Sequence, residues 1–157
     1  GYYALAKVGL LLATINHSAS PIWPASGFAI AMLSRFGRRY WTAIALGAFL
    51  ANFQTGMRQP LALVLIPLGN TLEGVVGSYL LDRISRKKHE VFGAETFLAV
   101  LSTVVVATPI SAVLGTLALY TVAIIGRSQI VPNAVTWWTG DSPVSYTHLT
   151  LPTSDLV

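Results

Sequence analysis

The sequence predicts an all-α fold, a polytopic transmembrane helical bundle of about five spans plus the start of a sixth. Two observations predict it. Five apolar runs, Tyr2–Ile15, Pro21–Phe36, Tyr40–Asn52, Leu61–Leu81 and Phe97–Ile125, carry only Lys7, Arg35 and Glu73 as charged residues. Hydrophobic residues make up 54% of the chain and charged residues 10%, with a mean hydropathy of +0.63; an ordinary soluble domain has about 25% charged residues. In lipid the backbone must satisfy its own hydrogen bonds, so spans are helices or closed barrels. These runs lack the two-residue alternation of barrel strands. A soluble helical core is excluded because Leu61–Leu81 and Phe97–Ile125 have no polar face wide enough to meet water.

Taken in order, Tyr2–Ile15 is shorter than the roughly 20 residues a span needs, so its start is predicted to be missing. Ser18-Ala19-Ser20 is a poor cleavage site for a signal peptide, because no basic segment precedes the run. Pro21 and Pro24 mark the outer end of the second helix, and Pro60 opens the fourth. The second and third runs are short; either both are thin or tilted spans, or one is partly re-entrant. Pro67 and Pro109 lie inside runs and are expected to kink them. Phe97–Ile125 is long for one span, and reads as a kinked, tilted helix or as one that continues past the membrane.

The gaps predict orientation. Arg35, Arg38 and Arg39 stand between the second and third runs, and Arg83, Arg86, Lys87 and Lys88 between the fourth and fifth. Asn16–Ser20 has no charge, and Phe53–Pro60 and Gly126–Pro132 carry only Arg58 and Arg127. Strong and weak basic gaps alternate, so the positive-inside rule places the Arg38 and Lys87 loops in the cytoplasm of a multi-pass plasma-membrane protein. The net charge of +4 is explained by these span ends, so no nucleic-acid partner is expected. Trp23, Trp41, Trp137 and Trp138 fall near the predicted interfaces, where amphipathic rings settle.

Asn70, Glu73, Gly74, Gly77 and Ser78 share one face of the fourth helix by their spacing. Ala45, Ala48 and Asn52 form a similar stripe on the third, and Thr108, Ser111, Ala112 and Gly115 on the fifth. Small residues at such spacing read as helix packing. Glu73 is different: an acid deep in a span costs on the order of 2.5–3.5 kcal/mol even on the lenient insertion scale. It is kept for a site, for a pair, or as a protonated carboxyl bonded to another helix. Asp141, in a sixth run starting near Asn133, is a second such acid, and Lys7 is the base inside a span. At the helical rise, Lys7 lies roughly 12 Å, Glu73 roughly 18 Å and Asp141 roughly 10–15 Å below the outer surface. Lys7 either meets these acids or snorkels to the cytoplasmic interface.

Catalytic chemistry is not in evidence. His17, His89 and His148 are isolated, and His89-Glu90 lacks the second histidine of a helical zinc motif. The absence of cysteine removes disulfides and thiolate metal sites. There is no phosphate-binding glycine loop, nucleophile elbow or paired-acid cleft. The expected site therefore contains no catalytic residue, metal or cofactor. Asn16-His17-Ser18 matches a glycosylation triplet, a pattern frequent by chance.

Three segments carry a resemblance: Pro21-Ile22-Trp23-Pro24-Ala25-Ser26-Gly27, Gly37-Arg38-Arg39-Tyr40-Trp41, and Leu46-Gly47-Ala48-Phe49-Leu50-Ala51-Asn52. With Gly69-Asn70-Thr71-Leu72-Glu73 and Trp137-Trp138-Thr139-Gly140-Asp141 downstream, residues 1–141 resemble the MASE1 integral-membrane sensory domain. The resemblance implies the membrane-embedded sensory input of a bacterial signalling protein, placed before a histidine kinase, diguanylate cyclase or phosphodiesterase module. It implies no catalysis in this segment. Its partners would be the lipid bilayer, a C-terminal output module and a second copy in a homodimer. Trp23, Pro24, Asn70, Glu73, Trp138 and Asp141 are the signature positions carried over, beside Lys7 from the depth argument.

The pattern is lost after Asp141. Ser142–Val157 is rich in Thr and Pro and resembles translated adapter sequence, so it is expected to be a non-native tail, irregular or ended as a helix by Pro143. A small-solute transporter or a substrate-binding membrane subunit is the competing class, because proline-broken helices beside an intramembrane acid suit such a site. An intramembrane enzyme lacks any nucleophile–base pair.

Overall fold

The computed structural model describes residues 1–11, 20, 22–85, 98 and 100–150. All regular structure among them is helical. The helices are α1 (Tyr2–Leu11), α2 (Pro24–Phe36), α3 (Trp41–Phe53), α4 (Pro60–Ser85), α5 (Val100–Thr121) and α6 (Ile130–Thr150). The Lys87 loop, His17, His89 and the chain beyond Thr150 lie outside the described residues.

Local chemistry sets the ends. Pro24 occupies the first turn of α2, where its missing N–H leaves no bond unmade. Gly37 follows Phe36 at φ +102° and ψ 146°, a region essentially closed to residues with a Cβ. A 3-10 turn, Arg38–Tyr40, then reverses the chain into α3. α5 ends at Thr121 in a Schellman arrangement, with Ala123 N–H to Tyr120 O at 3.0 Å and Ile124 N–H to Leu119 O at 2.9 Å. The long fifth run therefore stops short of Ile125.

α4 is the central helix, packed against α2, α3 and α5; α6 closes on α2 and α5, and α1 lies on α2 and α3. The surface is more apolar than a soluble domain's, and the apolar interior also holds a polar cluster. Glu73, Asp141, Asn70, Ser78, Ser111 and Asn133 are buried, while Leu46, Val64, Leu68, Val105, Val113, Leu117 and Val131 are exposed. That distribution fits apolar surroundings. The core is built largely from small side chains such as Ala25, Ala29, Ala48 and Ala51, which let helix axes approach closely.

Among the described residues, two helical segments, Pro60–Arg83 and Val100–Thr121, are long and apolar enough to cross a membrane, so length and composition there support two of the about five expected spans. α2 and α3 have 13 residues each, and α1 has 10 described residues.

The two internal prolines behave differently. α4 continues as helix through Pro67. At Pro109 the ladder of α5 changes: Thr103–Ala107 is π-helical, and the Thr108 N–H bonds Thr103 O. The Val104 carbonyl has thus lost its i+4 donor, and its i+5 donor would be Pro109, which has none. Thr108 Oγ1 at 2.6 Å and Trp138 Nε1 at 3.0 Å donate to it instead.

The expectation that Pro143 ends the last helix is overturned: α6 runs to Thr150. Proline's fixed φ is compatible with helix, and the loss of one ladder bond permits continuation where the flanking turns hold.

Candidate functional site

Glu73 stands near the middle of α4 and is fully buried. The face predicted from spacing is the one turned inward: Asn70, Gly74, Gly77 and Ser78 are buried beside it. A Cβ on Gly74 would lie 3.1 Å from Ala29 Cβ of α2, so this face is what lets α2 pack close to the acid.

Asp141 reaches the same region from α6 and is also fully buried. Both of its oxygens accept: Ser26 Oγ of α2 donates to Oδ1 at 3.0 Å, and Ser111 Oγ of α5 donates to Oδ2 at 2.8 Å. A backbone bond adds to the junction, Trp23 N–H to Gly140 O at 3.0 Å. Asp141 thus ties the start of α2 and the middle of α5 to the last helix.

Glu73 and Asp141 interact electrostatically, and the same two serines lie beside both carboxyls. Each hydroxyl has one proton to donate; Ser26 directs it to Asp141, and Ser111 stands within reach of both Asp141 Oδ2 at 2.8 Å and the Thr108 carbonyl at 3.0 Å. Both Glu73 oxygens are left with no hydrogen-bond partner. The same holds for both amide atoms of Asn70, for Tyr2 Oη and for Trp23 Nε1. The Tyr2 hydroxyl lies beside the Trp23 indole and the Asn70 amide, within electrostatic reach of both carboxyls. Five helices therefore supply one buried polar cluster in which several groups have capacity unspent.

Of the residues singled out from the sequence, Asn70, Glu73, Asp141 and Trp23 come together here. Lys7 does not. It sits about 140° around α1 from Tyr2, the residue that faces the cluster, and no ion pair joins it to Glu73. Pro24 serves the α2 terminus. Trp138 lies half-exposed on α6 with its indole on Val104 O, outside the cluster. Two of the four tryptophans expected near the interfaces, Trp23 and Trp137, are buried in the bundle, and the Trp137 ring lies directly over Gly115, which leaves no room for a Cβ. Tyr2 and Ser26 were not anticipated as site residues, and Ser111 was read only as part of a packing stripe.

At the end of the bundle formed by the α2 and α4 C-termini, Arg38 Nη1 donates to Asp82 Oδ2 at 2.9 Å, and its guanidinium lies over the Tyr79 ring. The Arg38 loop and the end of α4 thus share one side. At the opposite end, Leu10, Ser20, Trp23, Asn52, Ile66 and Trp137 enclose a cavity of about 10 Å³, close to the space of one water. Trp23 borders both this cavity and the cluster. Among the described residues, no three His, Asp or Glu side chains gather as a metal-binding group.

No curated relative and no solved structure matches the chain. A family model does: MASE1, over residues 1–142, which includes every residue of the cluster. That family comprises membrane-associated sensory domains. With its buried polar cluster, apolar exterior and matching signature segments, the chain belongs to the MASE1 family.

Proposed function

We propose that this chain is the sensory input domain of a bacterial signal-transduction protein, set in the inner membrane with the Arg38 and Lys87 loops cytoplasmic. It carries no catalysis itself. It passes its signal to an output module C-terminal to it, a histidine kinase or a cyclic-di-GMP enzyme, and works as a homodimer. The observation that carries the reading is the hydrogen-bonded junction at Asp141, which couples α2 and α5 to the last helix of the bundle. An event at Glu73, beside that junction, has a direct route to the segment leading toward the output. Alternation of the basic gaps supports the orientation.

The test is signalling by a full-length homologue carrying Glu73→Ala. Regulated output should fall at least tenfold while membrane insertion is unchanged. Normal regulation in Glu73→Leu would sink the role given to the acid.

The second reading is a small-solute transporter or substrate-binding subunit. It draws on the π-helical interruption at Thr103–Ala107 within a bundle that buries two acids. Further spans forming a repeat downstream, in place of a kinase or cyclase module, would favour it.

A further inference from the structure

We propose that the outward stripe of α4 from Leu68 to Arg83 binds one anionic phospholipid, with its phosphate held by the Arg83 and Arg38 guanidiniums at the Tyr79 ring. This site goes beyond the sensory role and does not depend on it.

The tail half follows from helix geometry. Leu68, Leu72, Val76, Tyr79 and Arg83 fall within about 80° of arc around α4. Leu68, Leu72, Tyr79 and Arg83 are exposed and Val76 is half-buried, so the stripe faces away from the bundle. From Leu68 to Tyr79 it runs roughly 16 Å at the helical rise, about one leaflet of a hydrocarbon core of about 30 Å. The stripe is apolar over that length and then ends on a cation. An acyl chain suits the first part, and a phosphate suits the second.

The head half is built on Tyr79. Arg38, in the turn between α2 and α3, lies over the Tyr79 ring at 5.5 Å from its centroid, and Arg83 lies over it at 5.8 Å. Two cations therefore stand at one ring. Each is fixed by a further contact: Arg83 Nη1 donates to Tyr79 Oη at 2.7 Å, and Arg38 Nη1 donates to Asp82 Oδ2 at 2.9 Å. A guanidinium has five N–H donors, so both forks keep most of theirs for a ligand. Among the described residues, Arg38 is ion-paired with Asp82 and Arg83 is not ion-paired. Guanidinium forks match phosphate oxygens in geometry, and forks already pinned lose less freedom on binding.

Depth agrees. Tyr40 and Trp41, in and just after the same turn, are exposed, and amphipathic rings of this kind settle at headgroup level. A free anion would use the forks and leave the stripe uncovered. A zwitterionic lipid would cover the stripe but bring its own cation to the forks. An anionic phospholipid satisfies both halves at once.

The experiment uses the whole chain in phosphatidylcholine nanodiscs in which phosphatidylglycerol replaces a growing share of the lipid, with thermal unfolding followed at constant ionic strength. Tm should rise and saturate, because the lipid binds the folded chain, and native mass spectrometry should find phosphatidylglycerol retained on the protein. A Tm indifferent to phosphatidylglycerol overturns the proposal. A basic residue acting only through the surface field would cost the same wherever it stands at this end. Arg39, whose guanidinium lies over Tyr40 instead, is the matched control. Arg83→Gln should raise the half-saturating share at least threefold more than Arg39→Gln does, and equal effects overturn the site. If Arg83→Gln does not insert, Tyr79→Leu decides: it keeps every charge, so a half-saturation raised at least threefold supports the site and an unchanged value rejects it. Inorganic phosphate added to discs of phosphatidylcholine alone should leave Tm unmoved; a shift equal to the lipid's would assign the forks to a free anion and overturn the proposal. Near-complete disulfide dimerisation of Tyr79→Cys in every lipid mixture would give the stripe to a second copy and overturn it as well. These readouts do not involve output activity, so failed lipid binding leaves the sensory role standing, and failed signalling in Glu73→Ala leaves the lipid site standing.

Discussion

Ser26 on α2 and Asp141 on α6 are joined by a buried 3.0 Å hydrogen bond across 115 positions of sequence. The bond closes the bundle, because α2 and α6 are held at that level by this contact and by the Trp23–Gly140 backbone bond. Ser26→Ala removes the donor to Asp141 Oδ1 and keeps the Ser111 bond to Oδ2. Interhelical bonds in membranes are worth about 0.6–2 kcal/mol, and those to a carboxyl belong at the upper end. Unfolding of the variant in mixed micelles should therefore show a loss of roughly 1–2 kcal/mol. A loss below measurement would mean that the bond is replaced by another donor.

Ala123 adopts φ +58° at the end of α5, where the Schellman arrangement calls for a left-handed residue. A side chain there is strained, and glycine is not. Ala123→Gly should stabilise the chain by about 0.5–1 kcal/mol, read as a raised unfolding midpoint. A lowered midpoint would show that the side chain makes a contact outweighing the backbone strain.

Gly115 faces the Trp137 ring, with a Cβ position 2.3–2.7 Å from three ring carbons. Gly115→Val should cost about 1–3 kcal/mol through overpacking. Adding Trp137→Ala should recover part of that loss, and a double-mutant cycle gives the coupling. Additive effects would place the ring elsewhere.

How much of this was legible follows from range. The inward face of α4 was readable because i, i+3, i+4 spacing is a property of one helix, and Asn70, Glu73, Gly74 and Gly77 are all buried. Helix positions followed from apolar runs and prolines. Which helices meet was not readable, so the partnership of Tyr2, Trp23 and Ser26 with Glu73 and Asp141 stayed hidden. Depth alone placed Lys7 near Glu73, but depth says nothing about azimuth around α1. The burial of Trp137 was hidden for a related reason: an indole suits a lipid interface, but it also fills the space that glycine leaves on a neighbouring helix, as Trp137 does at Gly115.

Sidedness is tested by accessibility. Single cysteines at Ser85 and Ser128, in a chain with no cysteine of its own, should label oppositely with a membrane-impermeant reagent in intact cells. Ser128 should react and Ser85 should be protected. The reverse pattern inverts the topology.

The Val104 carbonyl, taken up by the Trp138 indole, has a mechanical consequence. α5 and α6 are also pinned by Asn133 Nδ2 on Thr116 Oγ1 at 2.9 Å and by Ser111 on Asp141. These three pins lie at different heights along the pair, so a piston stroke of α6 past α5 would shear them all together. It would also leave the Val104 carbonyl, which Pro109 cannot serve, to the Thr108 hydroxyl of its own helix. The stiff coordinate is therefore axial, and α5 and α6 move along their length as one unit.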